Sequence, residues 1–235
     1  MHVVILAAGQ GTRLGGYQPK PLTPLYDGRS IIELQLAAIS KHLDLEDVTL
    51  VVGYKKELIM EAFPELSYVY NPAFGEENTA KSLLRALHKI HDDDCLWLNG
   101  DVVFKPAILS ALLASPQSAM LVNQGVVAEE EVKYRTDGAG RMTEVSKEVV
   151  EGEGEAIGIN LIRSADLDGF RHSLERCAPM DYFEKGLELS LSEGLDLRAV
   201  VVPRDSAVEV DFPEDLERAN VLLHRWKKAN PDMQR

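Results

Sequence analysis

The residues that could do chemistry cluster near the start of the chain. Leu6-Ala7-Ala8-Gly9-Gln10-Gly11-Thr12-Arg13-Leu14-Gly15-Gly16 is followed closely by Pro19-Lys20-Pro21-Leu22. A glycine-rich turn after an apolar strand lets backbone N–H groups converge on an anion, because glycine accepts unusual torsions and projects nothing into the space. Arg13 and Lys20 add two cations, spaced to wrap a polyphosphate. Two familiar phosphate loops are excluded. A Walker loop needs Gly-x-x-x-x-Gly-Lys-Ser/Thr, and that string is missing. A Gly-x-Gly-x-x-Gly dinucleotide fingerprint must open into a helix, but position 14 is Leu, and Pro19, Pro21 and Pro24 forbid a helix there.

Such a loop needs a sheet behind it. Residues 3–8 are apolar on both faces, as a buried parallel strand requires. The pattern then predicts a helix over 30–42 with Ser30 as N-cap, a strand at 48–52, a helix at 56–62, a strand at 66–70, a helix at 79–91 and a strand at 95–98. Beyond residue 105 it predicts helices at 106–114, 164–175 and 181–193, and strands near 118–124, 131–136, 141–146, 156–162 and 197–202, antiparallel pairs among them. A last helix runs from Pro213 to about residue 228, with Pro213 at its first position. The fold class is α/β: a Rossmann-like, mostly parallel mixed sheet flanked by helices. With no linker, low-complexity tract or repeat, residues 1–235 read as one domain.

Composition sets the outer limits. The 235 residues carry a net charge of −13, which argues against a nucleic-acid partner held by a broad basic face. That charge is uneven: the first 30 residues sum to +2 and the rest to −15. Cys95 and Cys177 are too few for a disulfide framework or a cysteine-rich zinc site. His88 and His91 are predicted to share a helix face, read more simply as solvated or packed than as metal ligands. No stretch is apolar enough to span a membrane and no signal peptide is recognisable, so a cytoplasmic location and no membrane partner are expected. Residues 148–155, with four glutamates, read as a mobile surface loop bordering a site, while Asp92-Asp93-Asp94 and Glu129-Glu130-Glu131 read as solvated turns.

Leu-x-x-Gly-x-Gly-Thr-Arg-Leu with a downstream Pro-Lys-Pro-Leu resembles the signature of the nucleotidyltransferase superfamily, the sugar-phosphate nucleotidylyltransferases and their relatives. Further landmarks resemble the branch of phosphocholine cytidylyltransferase and other small cytidylyltransferases: Val52-Gly53-Tyr54, Tyr70-Asn71-Pro72, Asn78-Thr79, Asp101, Lys147, the Gly158 strand, and Glu209 to Leu216. The resemblance covers nearly the whole chain and implies the nucleotide-diphospho-sugar transferase fold, with a nucleotide-binding half over 1–105 and an acceptor-binding half over 106–235.

In such enzymes a phosphomonoester attacks the α-phosphate of a nucleoside triphosphate and pyrophosphate leaves. With a second pKa near about 6 the nucleophile is already mostly ionised, so the need is for cations and amide dipoles more than for a base. The resemblance assigns Arg13, Lys20 and Lys147 to catalysis, Lys147 approaching the acceptor phosphate. It assigns Leu6, Ala8, Gly9, Gly11, Thr12, Arg13, Lys20, Asn78 and Thr79 to the nucleotide, CTP being favoured. Asp101, at a strand's carboxyl end, and Asp211 are the expected Mg²⁺ ligands. Asp215 is expected to stabilise a helix end. Glu155, Gly158, Tyr182, Glu184 and Glu209 are assigned to the acceptor; Glu209, expected on the same strand face as Asp211, is read alternatively as support for the metal site or as an ion-pair partner. Tyr54, Phe74 and Phe183 are further aromatic candidates if the acceptor carries a cation.

The acceptor expected is a small phosphorylated alcohol, amino-alcohol or sugar, phosphocholine-like favoured, with a phosphonate open. The oligomeric state is also open, a homodimer included. A sugar-1-phosphate uridylyl- or guanylyltransferase is the alternative, and other classes fit less well. Glycosyltransferases on related sheets use Asp-x-Asp for the metal, where this chain has Asn99-Gly100-Asp101. Molybdopterin guanylyltransferases place an acidic residue where Pro19 stands. A silent nucleotide-binding regulator would have no use for Arg13, Lys20, Asp101 and Asp211 together.

Overall fold

Val3, Val4 and Ile5 are fully enclosed in the computed structural model of the chain, which describes residues 1–15, 17–129 and 131–229. A strand with no polar face must lie inside a sheet. Strand β1 (His2–Ala7) does so, parallel to β2 (Val48–Val52) on one side and to β4 (Cys95–Asn99) on the other, with Ile5 opposite Leu50 and Leu98. β3 (Ser67–Tyr70) extends the parallel set beyond β2. Past β4 the long β9 (Gly154–Ile162) runs antiparallel to it and to β6 (Ala119–Val122), and β10 (Arg198–Val201) closes the edge parallel to β6. The order is β10-β6-β9-β4-β1-β2-β3, with a hairpin of β7 (Lys133–Thr136) and β8 (Met142–Ser146) attached to β9.

Helices cover both faces, and the alternation of β1 assigns them. Val3 and Ile5 join the cluster containing Ile32 and Ile39 of α1 (Ile31–Ile39), Ile59 of α2 (Lys56–Ala62) and Leu109 of α4 (Ala107–Leu113). Val4 and Leu6 join the opposite cluster, with Leu83 of α3 (Thr79–Leu87), Phe170 of α5 (Ser164–Arg176) and Phe183 of α6 (Phe183–Ser192). Ser30 caps α1 through a reciprocal capping box with Glu33, which satisfies two otherwise orphaned N–H groups. The mixed sheet with helices on both faces is the predicted class.

Several boundaries differ. α3 stops at Leu87, so His88 only caps it and His91 lies beyond, which removes the shared helix face. β9 begins at Gly154 rather than 156, because β7 pairs with Glu155 and Gly154 there; the end of the glutamate-rich stretch is therefore strand, not loop. The proline-rich segment forms no α-helix, but short 3-10 turns occur at Thr12–Leu14 and Lys20–Leu22, the second carrying Pro21.

The largest addition is a two-stranded antiparallel sheet of β5 (Val102–Phe104) and β11 (Ala207–Glu209), with Val102 opposite Glu209. Three residues are too few to show a period. A third cluster packs this small sheet under α7 (Pro213–Ala229) and α1, through Val103, Val208, Leu34, Leu223 and Trp226. No described helix is long and apolar enough to cross a membrane.

Candidate active site

A cleft of about 400 Å³ opens where the carboxyl ends of β1 and β4 face the small sheet. Of the residues singled out by sequence, Leu6, Gly9, Gly11, Arg13, Lys20, Thr79, Asp101, Lys147, Glu155, Gly158, Tyr182, Glu184, Glu209 and Asp211 all line it. Their assembly follows from topology. The loop after β1 brings Arg13 and Lys20, the turn after β4 brings Asp101, and β11 brings Glu209 and Asp211 alongside through its pairing with β5.

Lys20 lies at the centre. Its Nζ donates to Asp101 Oδ2 at 2.9 Å and also to Asp211 Oδ1. Gly11 makes room for that reach: it has φ +59°, and a Cβ there would lie 2.7 Å from Lys20 Cγ. Burial works against the Lys20 ammonium, but the Asp101 charge and the bond to Asp211 outweigh it and push the pKa up. Arg13 Nη1 donates to Asp211 Oδ2 at 3.1 Å, and the guanidinium lies 5.3 Å from the centre of the Phe212 ring.

Asp101, Glu209 and Asp211 each offer a carboxylate oxygen within 4.8 Å of the others, and they are the one such trio among the described residues. The donor set suits a hard divalent cation. Asp101 Oδ1 is buried and accepts no hydrogen bond, which leaves an oxygen for which a cation would be the natural partner. Burial first, then the charges of Asp101 and Asp211, holds the Glu209 carboxyl well above the ordinary range. One expectation changes here: Asp211 is not on the strand of Glu209, because β11 ends at Glu209. Glu209 itself stands in the acid trio, where it could support a metal site. Asp215 does serve the helix end: its Oδ2 accepts from the backbone N–H of Asp211 at 3.1 Å and of Phe212 at 2.8 Å.

The other wall is built around the start of α6. Lys147 Nζ lies 4.9 Å from the centre of the Tyr182 ring. Glu184, in the first turn of α6, has a fully enclosed Oε2 with no hydrogen-bond partner. Burial pushes its pKa up to about 7, against the pull of its own backbone N–H and of Lys147. Glu155 is also raised by burial; its Oε2 accepts from Asn123 Nδ2 at 2.8 Å. Gly158 has φ +71°, and a Cβ there would come within 2.7 Å of Asn99 Nδ2.

Some expected residues stand apart. Ala8 and Asn78 do not line the cleft. The Ala8 carbonyl accepts from Tyr54 N, and the Asn78 amide accepts from Thr79 N while donating to Met180 O. Thr79 Oγ1 in turn accepts from Phe183 N at 3.0 Å, which ties the starts of α3 and α6 together. Thr12 opens a turn, but its side chain lies outside the described residues. Tyr54 and Phe74 pack against each other away from the cleft, whereas Phe183 borders it while packing edge-on to Trp97 in the core. Sequence reasoning missed Asn99, Asn123 and Arg218, all in the lining. Arg218 had a signal, since it lies one helical turn from Asp215; Asn123 had none.

Residues 3–196 match the MobA-like NTP transferase domain. The CMP-5'-(3-aminopropyl)phosphonate synthase of Streptomyces rubellomurinus is 31% identical across 94% of this chain, which spans only 38% of that protein. A bifunctional protein GlmU of Methanococcus maripaludis is 39% identical over 46% of this chain and 26% of its own length. Two solved structures share the fold at TM-score 0.79. They are the CTP:phosphocholine cytidylyltransferase of Streptococcus pneumoniae, 16% identical over 94% of this chain and 98% of its own, and the inositol-1-phosphate CTP transferase of T. maritima, 17% identical over 94% and 95%. A family match over most of the residues, on this fold, decides membership: the chain belongs to the nucleotidyltransferases, as a MobA-like NTP transferase domain.

Proposed function

We propose that this chain is a Mg²⁺-dependent cytidylyltransferase for a small phosphonate or phosphomonoester bearing a cationic amine. The observation that carries the reading is the clamp of Lys20 and Arg13 on the acid trio at the strand ends, which puts phosphate-binding cations and metal-binding carboxylates at one point. Likeness to the Streptomyces CMP-5'-(3-aminopropyl)phosphonate synthase supports CTP and an aminoalkyl phosphonate as the substrate pair.

In the reaction an acceptor oxygen forms a bond to the α-phosphorus of CTP while the bond from that phosphorus to the β-bridging oxygen breaks, and pyrophosphate carries away the electron pair. Gly9 and Gly11 present the backbone to the triphosphate. Arg13 and Lys20 turn from their carboxylates to its oxygens, offsetting charge as it builds on the leaving group. Asp101 and Asp211, with Glu209 beside them, would hold Mg²⁺, which supplies Lewis-acid polarisation of the phosphate and draws two anions together. Lys147, braced on the Tyr182 ring, meets the acceptor anion. An amine on the acceptor would give Glu184 Oε2 the hydrogen-bond donor it lacks and would add a positive charge to that of Lys147. The halves divide the work at about residue 105, the first for the nucleotide and the second for the acceptor.

The test is pyrophosphate release from CTP, UTP, GTP and ATP, each against aminoalkyl phosphonates, phosphocholine and sugar phosphates. Fastest release with CTP and an aminoalkyl acceptor is expected. No release from any pair by the folded protein overturns the reading. Asp101→Ala separates an enzyme from a silent nucleotide binder: turnover should fall by on the order of 10³-fold with CTP still bound.

A further inference from the structure

Helix α1 turns an almost wholly apolar face to the sheet: Ile31, Ile32, Leu36 and Ile39 are all buried. Gln35 is the exception, 1% exposed in the middle of that face. Burying an amide among aliphatic groups is costly unless its hydrogen bonds are made, so a polar residue here calls for a specific partner. Gln35 Nε2 donates to Asn99 O and to Val102 O, each at 2.9 Å. Its Oε1 is enclosed and accepts nothing, so the whole polar gain lies in those two bonds. Asn99 and Val102 bracket Gly100-Asp101, the turn that presents the carboxylate.

We infer that Gln35 is a positioning residue for the metal centre, fixing the turn that aims Asp101. This rests on the reading of Asp101 as a metal ligand. The turn has a second anchor, Gly100 N donating to Leu6 O at 2.9 Å, and little slack, because a Cβ at Gly100 would lie 2.7 Å from that same oxygen. The opposite side of the centre depends on the same backbone. Asp101 O accepts from Val210 N at 3.0 Å, and Val102 pairs with Glu209 in the small sheet. Holding the carbonyls of Asn99 and Val102 therefore sets the spacing of Asp101 from Glu209 and Asp211 together. Gln35 does not itself line the cleft; its effect passes through the backbone to three carboxylates. Groups that orient metal ligands in this way commonly change metal affinity by about 10–100-fold when removed.

The experiment uses Mn²⁺ alone as the probe, titrated by electron paramagnetic resonance into the full chain without nucleotide, alongside thermal unfolding and steady-state kinetics. Gln35→Met keeps the length and removes both donors. Its Mn²⁺ affinity should fall by about 10–100-fold, and kcat at low Mg²⁺ should fall with it and recover as Mg²⁺ is raised, with the acceptor KM unchanged. Leu36→Ala, one position along α1, is the packing control and should lower Tm while leaving Mn²⁺ affinity alone. If Gln35→Met does not fold, Gln35→Asn takes its place: an amide shorter by one methylene should give a partial loss of affinity. Wild-type Mn²⁺ affinity in the folded Gln35 variant overturns the inference, and so does an equal loss in Leu36→Ala at equal destabilisation. Asp101→Ala tells the two failures apart. Loss of Mn²⁺ binding there but not at Gln35 sinks the positioning role alone, whereas retained binding in Asp101→Ala sinks the metal reading and the inference with it.

Discussion

On the wall of the cleft formed by the β1 loop and the small sheet, charges come already paired. Lys20 bridges Asp101 and Asp211, and Arg13 holds the remaining oxygen of Asp211. On the wall formed by β9 and α6 they do not. Glu184 is enclosed with an oxygen that meets no donor, and Glu155 is held by an asparagine; Lys147 acts on the first, and Arg218 and Arg204 on the second, without a direct ion pair. The difference shows in the pKa directions: Lys20 is raised because its carboxylates outweigh burial, while Glu184 and Glu155 are raised because burial prevails. The first wall stores cations against anions that a metal could take over. The second wall leaves its carboxylates without a directly bonded cation, and an acceptor bearing an amine would supply one.

The strongest challenge to this contrast is Lys20→Met. Turnover should fall by about 10²–10³-fold, because a cation stabilising the leaving group is gone. Mn²⁺ binding in the absence of nucleotide should tighten, because the carboxylates lose a competitor. Initial rates and a Mn²⁺ titration check both, and unchanged binding would mean that the paired wall is not a metal site held in reserve.

Glu184→Gln tests the other wall through stability. The folded pKa is raised to about 7, above an unfolded value near about 4.3. Between those values the unfolded chain has given up a proton that the folded chain keeps, so stability falls as pH rises through the window and the full penalty applies above it. The variant should match wild type at pH of about 4 and exceed it by roughly 3–4 kcal/mol at pH of about 8. Urea melts at both pH values measure this; a gap that does not change with pH would show that Glu184 already has its counter-charge.

Asp215→Ala sharpens the paired wall with a smaller effect. It removes the acceptor for Asp211 N and Phe212 N and should cost about 1 kcal/mol, or about 2–4 °C in Tm for a chain of this size. Tyr182→Leu is the mildest. It removes the ring beneath Lys147, worth roughly 0.5–1 kcal/mol at an exposed site, and should raise the acceptor KM by about 2–5-fold with the CTP KM unchanged. A rise in the CTP KM instead would place Tyr182 on the wrong side of the comparison.

Much of this was legible before folding. The doubly buried run at β1, the capped α1 and the amphipathic α3 are local signals, carried by residues close together in the chain. The loop from Gly9 to Lys20 was legible for the same reason, since backbone freedom at Gly11 and cations at Arg13 and Lys20 can be read off a short stretch. The glutamate-rich stretch misled only at its end, where pairing of Gly154 and Glu155 with β7 outweighed the loop-like composition. The role of Asn123 left no trace, since a single asparagine after a strand is ordinary until Glu155 arrives opposite it.

By itself, then, the sequence determined the element types, the sheet class and the phosphate-binding character of the first loop, because propensity, periodicity and glycine torsions act over a few residues. Residue spacing did not say where the carboxylates meet; the family resemblance implied it, and only the tertiary structure decided how. Asp101 and Asp211 are separated by most of the second half of the chain. They come together through two three-residue strands too short to announce themselves, closed by α7 packing over Val103 and Val208. The same holds for the charge at each wall. Whether Lys20 is paired or Glu184 left alone depends on which distant group burial sets beside it, and no local pattern encodes that.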